Sequence, residues 1–98
     1  MSGDPGRKHR LLSDGVWSLL SQRLKLSPRE EEIVRGLLNK RTEKGIAREI
    51  GISRHTVHSH IKRLYRKLNV TSRSAAISRV FEEYLRLEQS QEREPAEP

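Results

Sequence analysis

The residues best suited to chemistry lie on one short segment, 54–68, where basic and imidazole side chains alternate with apolar ones. A helix turns by about 100° per residue, so the apolar residues of this segment form one narrow stripe. Opposite that stripe lie polar and basic residues, namely His55, Ser59, Lys62 and Arg66, with His58 and Arg63 beside them. No Asp or Glu occurs in the segment. Such a face suits a polyanion, and the DNA major groove is wide enough to admit a helix.

Positive charge is concentrated around this segment. Residues 40–73 hold ten Lys and Arg side chains and only two carboxylates, Glu43 and Glu49, which gives a net charge of +8. All 98 residues, with 20 Lys and Arg against 13 Asp and Glu, carry +7, so the remainder of the chain sums to −1. The charge therefore coincides with the basic face of 54–68 and favours binding to phosphates.

Other classes of function find no support in the composition. Cysteine is absent, which excludes disulfide scaffolds, thiol catalysis and cysteine-ligated zinc. His55, His58 and His60 have no acidic or cysteine ligand beside them, so we expect neither a metal site nor a cofactor. No catalytic constellation is present, which predicts that the protein is not an enzyme. No apolar run approaches the ~20 residues of a membrane span, and no secretory signal is visible, so we expect a cytoplasmic protein without a membrane partner.

Helical spacing of apolar residues along the whole chain predicts an all-α fold. The second helix should begin with a capping box between Ser27 and Glu30 and close at Asn39. The expected helices are 14–24, 28–39, 43–50, 54–68 and 73–88, and their expected N-caps are Ser13 or Asp14, Ser27, Thr42, Ser53 and Ser72.

The third and fourth of these helices are joined by a three-residue turn, 51–53, which predicts a helix-turn-helix. Ala47 is small where the two helices must cross closely. Gly51 can take the left-handed conformation that ends a helix. Val57 is the β-branched residue that should face back into the core. A small residue, a glycine and an apolar residue at this spacing are typical of the motif.

Four sequence blocks follow one another around these elements: LSPRE at 26–30, IAREIGIS at 46–53, TVHSH at 56–60 and RKLNVTSR at 66–73. Together they resemble the LuxR-type (GerE-type) DNA-binding domain over roughly residues 26–81. The resemblance implies a four-helix module of bacterial transcription regulators, whose third helix enters the major groove and whose fourth mediates dimerisation. Such regulators often carry a receiver or ligand domain upstream, for which this chain has no room, so it resembles the stand-alone members.

The resemblance also implies site residues. Positions that contact bases in the family fall on His58, Ser59 and Lys62, and positions at or beside the phosphate backbone fall on Lys44, Thr56 and Arg73. Charge and position on the basic face add further backbone contacts, namely Arg54, His55, Arg63 and Arg66.

Two apolar stripes lie outside the helix-turn-helix. In the first helix, Trp17, Leu20 and Leu24 are interpreted as additional core rather than as a docking face. In the last helix, apolar residues recur at three- and four-residue spacing further than the module requires, which predicts a dimer interface. The predicted interface residues are Ile77, Val80, Phe81, Tyr84 and Leu87.

These observations predict a disordered N-terminal segment (1–12), a short helix (13–25), a helix-turn-helix domain (26–88) and a disordered acidic tail (89–98). The predicted function is sequence-specific binding of double-stranded DNA by a dimeric transcriptional regulator, with RNA polymerase as a candidate partner. Two alternatives stay open. One is an interaction adaptor that keeps the fold without binding DNA, and the other is a promoter-recognition module like region 4 of a sigma factor.

Overall fold

The computed structural model describes residues 12–93, and within that range the chain forms five helices and no strand. The helices are α1 (Asp14–Leu24), α2 (Pro28–Leu38), α3 (Glu43–Ile50), α4 (Arg54–Leu68) and α5 (Arg73–Arg93). The all-α prediction is confirmed. The predicted disorder of residues 1–11 and 94–98 falls outside the described residues.

Each helix begins where a hydroxyl side chain satisfies a free backbone N–H of the first turn. Ser13, and not Asp14, caps α1, since its Oγ accepts from the Val16 N–H at 3.2 Å. The capping box of α2 is present in both directions between Ser27 and Glu30. The remaining predicted caps are confirmed as well, namely Thr42, Ser53 and Ser72.

Helix ends depend on left-handed backbone conformations. Gly51 has a φ of 76°, as the turn requires, and it ends α3 as predicted. Asn39 closes α2 as predicted, since it is the C-cap; it keeps a φ of −87°, and the next residue, Lys40, takes the left-handed conformation. The Lys40 N–H then donates to the Leu37 carbonyl, and the Arg41 N–H donates to the Gly36 carbonyl. This pair of bonds is the Schellman arrangement, which satisfies the free carbonyls at the end of a helix.

The core draws apolar residues from all five helices. Trp17 is 3% exposed and packs with Leu20 and Leu24 into the common core, so their interpretation as core is confirmed. A salt bridge of 2.9 Å from Arg23 Nε to Glu83 Oε2 ties α1 to α5. The first helix is therefore an integral part of the packed domain.

The helix-turn-helix is held by close packing between helices. Ala47 and Val57 are buried where α3 meets α4, as predicted. Between α2 and α3 the side chain of Ile46 packs directly on the backbone of Gly36, because a Cβ placed on Gly36 would lie 2.6 Å from Ile46 Cγ1. A glycine at this position lets α2 support α3, and α3 in turn sets the orientation of α4.

The last helix is longer than predicted. It continues to Arg93, so the predicted helix end at residue 88 is wrong, and residues 89–93 of the predicted tail are helical. Residues 88–93 are Glu, Gln, Ser, Gln, Glu and Arg, most of which favour helix, and the first proline comes at Pro95. No helix within residues 12–93 has the length and apolar character needed to cross a membrane.

Candidate nucleic-acid interface

The α4 helix presents its basic face to solvent because its apolar stripe is fully used in the core. Val57, Ile61, Leu64 and Leu68 are all buried. Eleven side chains remain outside that stripe, and none of them is acidic. The predicted outward face is therefore accessible along the helix.

The three predicted base-contacting residues differ in their surroundings. Lys62 is exposed, and within residues 12–93 it has no salt bridge or hydrogen bond. Ser59 is half-buried, so it needs close approach to reach a base edge. His58 is exposed, but its Nδ1 lies 3.2 Å from Oε2 of Glu43. Among the described residues, Lys62 is thus without a partner, whereas His58 is paired with Glu43 at the surface.

Most of the predicted backbone-contacting residues are at the surface around α4. The exposed ones are Lys44, Arg54, His55, Thr56, Arg63 and Arg66. Arg63 also donates to His60 Nδ1 at 3.2 Å, and Thr56 shares a hydroxyl hydrogen bond of 2.8 Å with Ser53 at the start of the helix. Arg54 and His55, together with Glu43 and His58, line one open depression beside α4.

Arg73 is placed differently from the other predicted phosphate ligands. Its side chain is half-buried, and one guanidinium N–H donates to the Leu37 carbonyl at 3.1 Å. This bond joins the start of α5 to the end of α2. Since a guanidinium has five donors, the contact leaves others for a phosphate, and this role of Arg73 stays a prediction.

Comparison with known proteins decides the family. Residues 24–80 match the model of the family described as bacterial regulatory proteins, luxR family. The chain belongs to the luxR family. The resemblance in the four sequence blocks is confirmed, and α2 to α5 supply the four helices of the luxR module. No solved structure matches the chain at a significant level.

Curated relatives of this luxR-family chain are longer proteins. It is 39% identical over 80 residues to a nitrate/nitrite response regulator protein homolog of Haemophilus influenzae, covering 74% of this chain and 38% of that protein. It is 45% identical over 53 residues to the probable transcriptional regulatory protein SgaR of Hyphomicrobium methylovorum, covering 54% of this chain and 25% of that one. The chain is also 35% identical over 60 residues to a probable transcriptional regulatory protein NarL of Mycobacterium tuberculosis, covering 61% and 28% of the two.

One lysine of the luxR module, Lys67, is bonded to other groups of the protein. Lys67, near the end of α4, donates to the Lys25 carbonyl and to Glu30 Oε1, both at 2.7 Å. Burial raises the pKa of Glu30, but the hydrogen bonds from Lys67 and Ser27 outweigh that effect, and the pKa falls below its ordinary value of 4.5. The sequence shows Lys67 only as one charge among ten, since its partners are 37 and 42 residues away.

One acidic residue contacts the basic face, although the sequence does not predict this contact. Glu43 is the first residue of α3 and, in the sequence, counts only as a charge opposed to the basic cluster. In the structure its carboxylate reaches across to α4 and binds His58. Nothing in the local sequence indicates this contact, because it depends on how α3 crosses α4.

The predicted dimer stripe on α5 is partly wrong. Val80 is 1% exposed and belongs to the protein's own core, because α1 packs against this side of α5. Tyr84 and Leu87 also pack against that core, and Ile77 is half-buried. Phe81 is 54% exposed, and its accessible neighbour is Leu85 at 45%, which the sequence prediction omitted.

Among the described residues, His55, His58 and His60 are not part of any cluster that could hold a metal ion. Across residues 12–93, no three His, Asp or Glu side chains come together in an arrangement able to hold a metal ion. His60 is half-buried and bonded to Arg63, whereas His58 is bonded to Glu43. The side-chain contacts of both histidines are therefore accounted for by the packing of the domain.

Proposed function

We propose that this chain binds double-stranded DNA with sequence specificity and acts as a transcriptional regulator, with α4 in the major groove. The observation that carries the proposal is the solvent-exposed face of α4, which is basic and contains no acidic residue. Membership of the luxR family supports it, as do two relatives named as probable transcriptional regulatory proteins.

In this proposal some side chains contact the bases and others contact the phosphates. Lys62, His58 and Ser59 face the base edges, where hydrogen-bond donors and acceptors differ between base pairs. The surrounding cations and hydroxyls hold the phosphates and fix the orientation of the helix without reading sequence. The residues proposed for this role are Lys44, Arg54, His55, Thr56, Arg63, Arg66 and Arg73.

We further propose a homodimer on DNA, joined through the exposed part of α5. Phe81 and Leu85 present apolar surface there, and Phe81 stacks on Tyr84 of the same helix with ring centroids 5.9 Å apart. Two copies would read half-sites about 34 Å apart, one turn of DNA. A cytoplasmic location and contact with RNA polymerase belong to the same proposal, and an enzymatic activity does not.

The test is selection of bound duplexes from a random pool, followed by titration of the selected duplex at several salt concentrations. We expect one enriched sequence, and an affinity that falls steeply with salt because phosphate neutralisation releases counterions. A random duplex should bind more weakly and with a similar salt dependence. An absence of binding at low salt would contradict the proposal and favour the adaptor alternative.

A further inference from the structure

The strongest feature left unexplained is a carboxylate at the basic face. Glu43 Oε2 lies 3.2 Å and Oε1 lies 3.3 Å from Nδ1 of His58, so both oxygens approach one ring nitrogen. The side chain of Glu43 is 32% exposed and that of His58 is 53% exposed. The other groups around the same depression are Arg54 and His55. A carboxylate within a face expected to meet phosphates repels those phosphates.

The contact determines where the proton of His58 sits. An ionised carboxylate can only accept hydrogen bonds, so the hydrogen that joins the pair belongs to Nδ1. A neutral imidazole carries one hydrogen, which leaves Nε2 with a lone pair and makes it an acceptor. No hydrogen bond from any residue between 12 and 93 reaches Nε2. In the neutral ring, the free edge is therefore an acceptor.

Major-groove chemistry then limits what this acceptor can bind. Donors in that groove are the exocyclic amines of adenine (N6) and cytosine (N4), whereas guanine offers N7 and O6 acceptors and thymine offers O4 and a methyl group. We propose that Glu43 is a positioning residue that holds His58 in its Nδ1–H form, so that Nε2 accepts a hydrogen bond from adenine or cytosine. This inference rests on the proposed function, in which His58 faces the bases.

The tautomer can be tested without DNA. Nitrogen-15 shifts of the imidazole ring distinguish Nδ1–H from Nε2–H, and they can be measured at about pH 8.5, where an imidazole of ordinary acidity is neutral. We expect His58 to be mainly Nδ1–H in the native protein and to lose that preference in Glu43→Ala. The matched control is Glu49→Ala, which removes the same charge from the same helix but breaks a 3.0 Å pair with Arg41. The control should leave the His58 shifts unchanged.

Base preference provides the second test. Duplexes are selected at about pH 8.5 with the native protein, Glu43→Ala, Glu49→Ala and His58→Ala. The native protein should prefer adenine or cytosine at one position, and Glu43→Ala should lower that preference by about threefold to tenfold, the effect of one hydrogen bond. His58→Ala should affect the same position, and Glu49→Ala should affect none. A general electrostatic effect would instead raise affinity alike in the Glu43 and Glu49 variants.

Several results would overturn the inference. They are an Nε2–H tautomer in the native protein, a guanine or thymine preference at the His58 position, and a base preference that Glu43→Ala leaves unchanged. Circular dichroism of each variant shows whether the helices persist. A failure of the proposed function looks different, because the native protein would then select no duplex at all, while the NMR result would still report on the pairing of Glu43 with His58.

Discussion

The polar and basic residues of α4 differ in whether their side chains already have a partner within the protein. Lys67 is bound to two groups of the domain, and His58 is bound to Glu43, whereas Lys62 has no partner within the described residues. A cation without an internal partner loses nothing inside the protein when it donates to a ligand. Lys62 is therefore a predicted base-contacting residue from which a clean binding effect is expected.

Replacing Lys62 by alanine should weaken binding to the selected duplex by roughly 1–3 kcal/mol if it contacts a base, with relaxed preference at one position. If Lys62 contacts a phosphate, affinity should fall alike on all sequences, and the slope of binding against salt should drop by about one. Titration of selected and random duplexes at two salt concentrations separates the two roles.

The matched control is Lys25→Asn. Lys25 caps α1 with a φ of 57°, a conformation that asparagine tolerates, so one positive charge is removed with little change to the backbone. It lies beside Lys67 at the end of α4 remote from Arg54. Equal losses of affinity in the Lys25 and Lys62 variants would contradict a specific role for Lys62.

At the scale of helices, local sequence is enough to place most boundaries. A hydroxyl residue followed by helical periodicity marks the starts of α2, α3, α4 and α5, because capping involves residues only three positions apart. Helix ends are harder. Lys40 rather than Asn39 takes the left-handed conformation because the closing bonds of α2 require it there, although asparagine adopts that conformation more readily.

The close approach of α2 and α3 leads to a prediction about Gly36. An alanine Cβ there would meet Ile46, which is itself buried, so Gly36→Ala should destabilise the domain by about 1–3 kcal/mol through overpacking. Gly15→Ala is the control, because its Cβ would have no neighbour closer than 3.9 Å. That variant should be neutral or more stable by up to about 1 kcal/mol. Urea unfolding of both variants gives the comparison, and a stable Gly36→Ala would refute the tight packing.

At the scale of the whole molecule, contacts between residues distant in sequence determine which side chains are paired or covered, and the local sequence pattern does not predict these contacts. Arg23 and Glu83 are 60 residues apart, and Glu43 and His58 are 15 apart. Periodicity assigns Val80 to an apolar stripe correctly, but it cannot tell whether α1 or a second copy covers that stripe. The exposed face of α4 was predictable, whereas the division of its side chains between internal and external partners was not.

The contact between α1 and α5 is expected to stabilise the fold less in acid, because it depends on the carboxylate of Glu83. Burial raises the pKa of this carboxyl, but hydrogen bonds from Arg79 and Arg23 outweigh it and lower the pKa below its ordinary value of 4.5. Because the pKa is lower in the folded state than in the unfolded state, the stabilisation is complete above about pH 4.5. It is lost as the pH falls from there through the folded pKa.

Glu83→Gln should therefore lower the free energy of unfolding by about 1–3 kcal/mol at neutral pH, since it weakens bonds to charged donors. The difference from the native protein should shrink as the pH falls below about 4.5. The neighbouring exposed carboxylate supplies the control, Glu82→Gln, which should change little at either pH. Denaturant unfolding at both pH values measures the effect, and a difference that does not depend on pH would refute it.

The proposed dimer predicts a further whole-molecule effect. Replacing Phe81 and Leu85 together by serine should reduce cooperative binding to a duplex with two half-sites, while binding to one half-site and thermal stability change little. Leu19→Ser provides the control, because Leu19 is also an exposed leucine, at 37%, but lies on α1. Unchanged cooperativity in the Phe81 and Leu85 variant would contradict an interface on α5.

The docking of α1 onto α5 has a consequence for where this domain can be cut. The family match begins at residue 24 and ends at 80, yet Trp17 and Leu20, at 3% and 0% exposed, are buried in the same core as residues inside that span. A fragment limited to residues 24–80 would lose both of them, together with the Arg23 to Glu83 salt bridge. It would also expose to water the apolar surface of α5 that α1 covers. The family match is therefore shorter than the segment whose residues pack into one core.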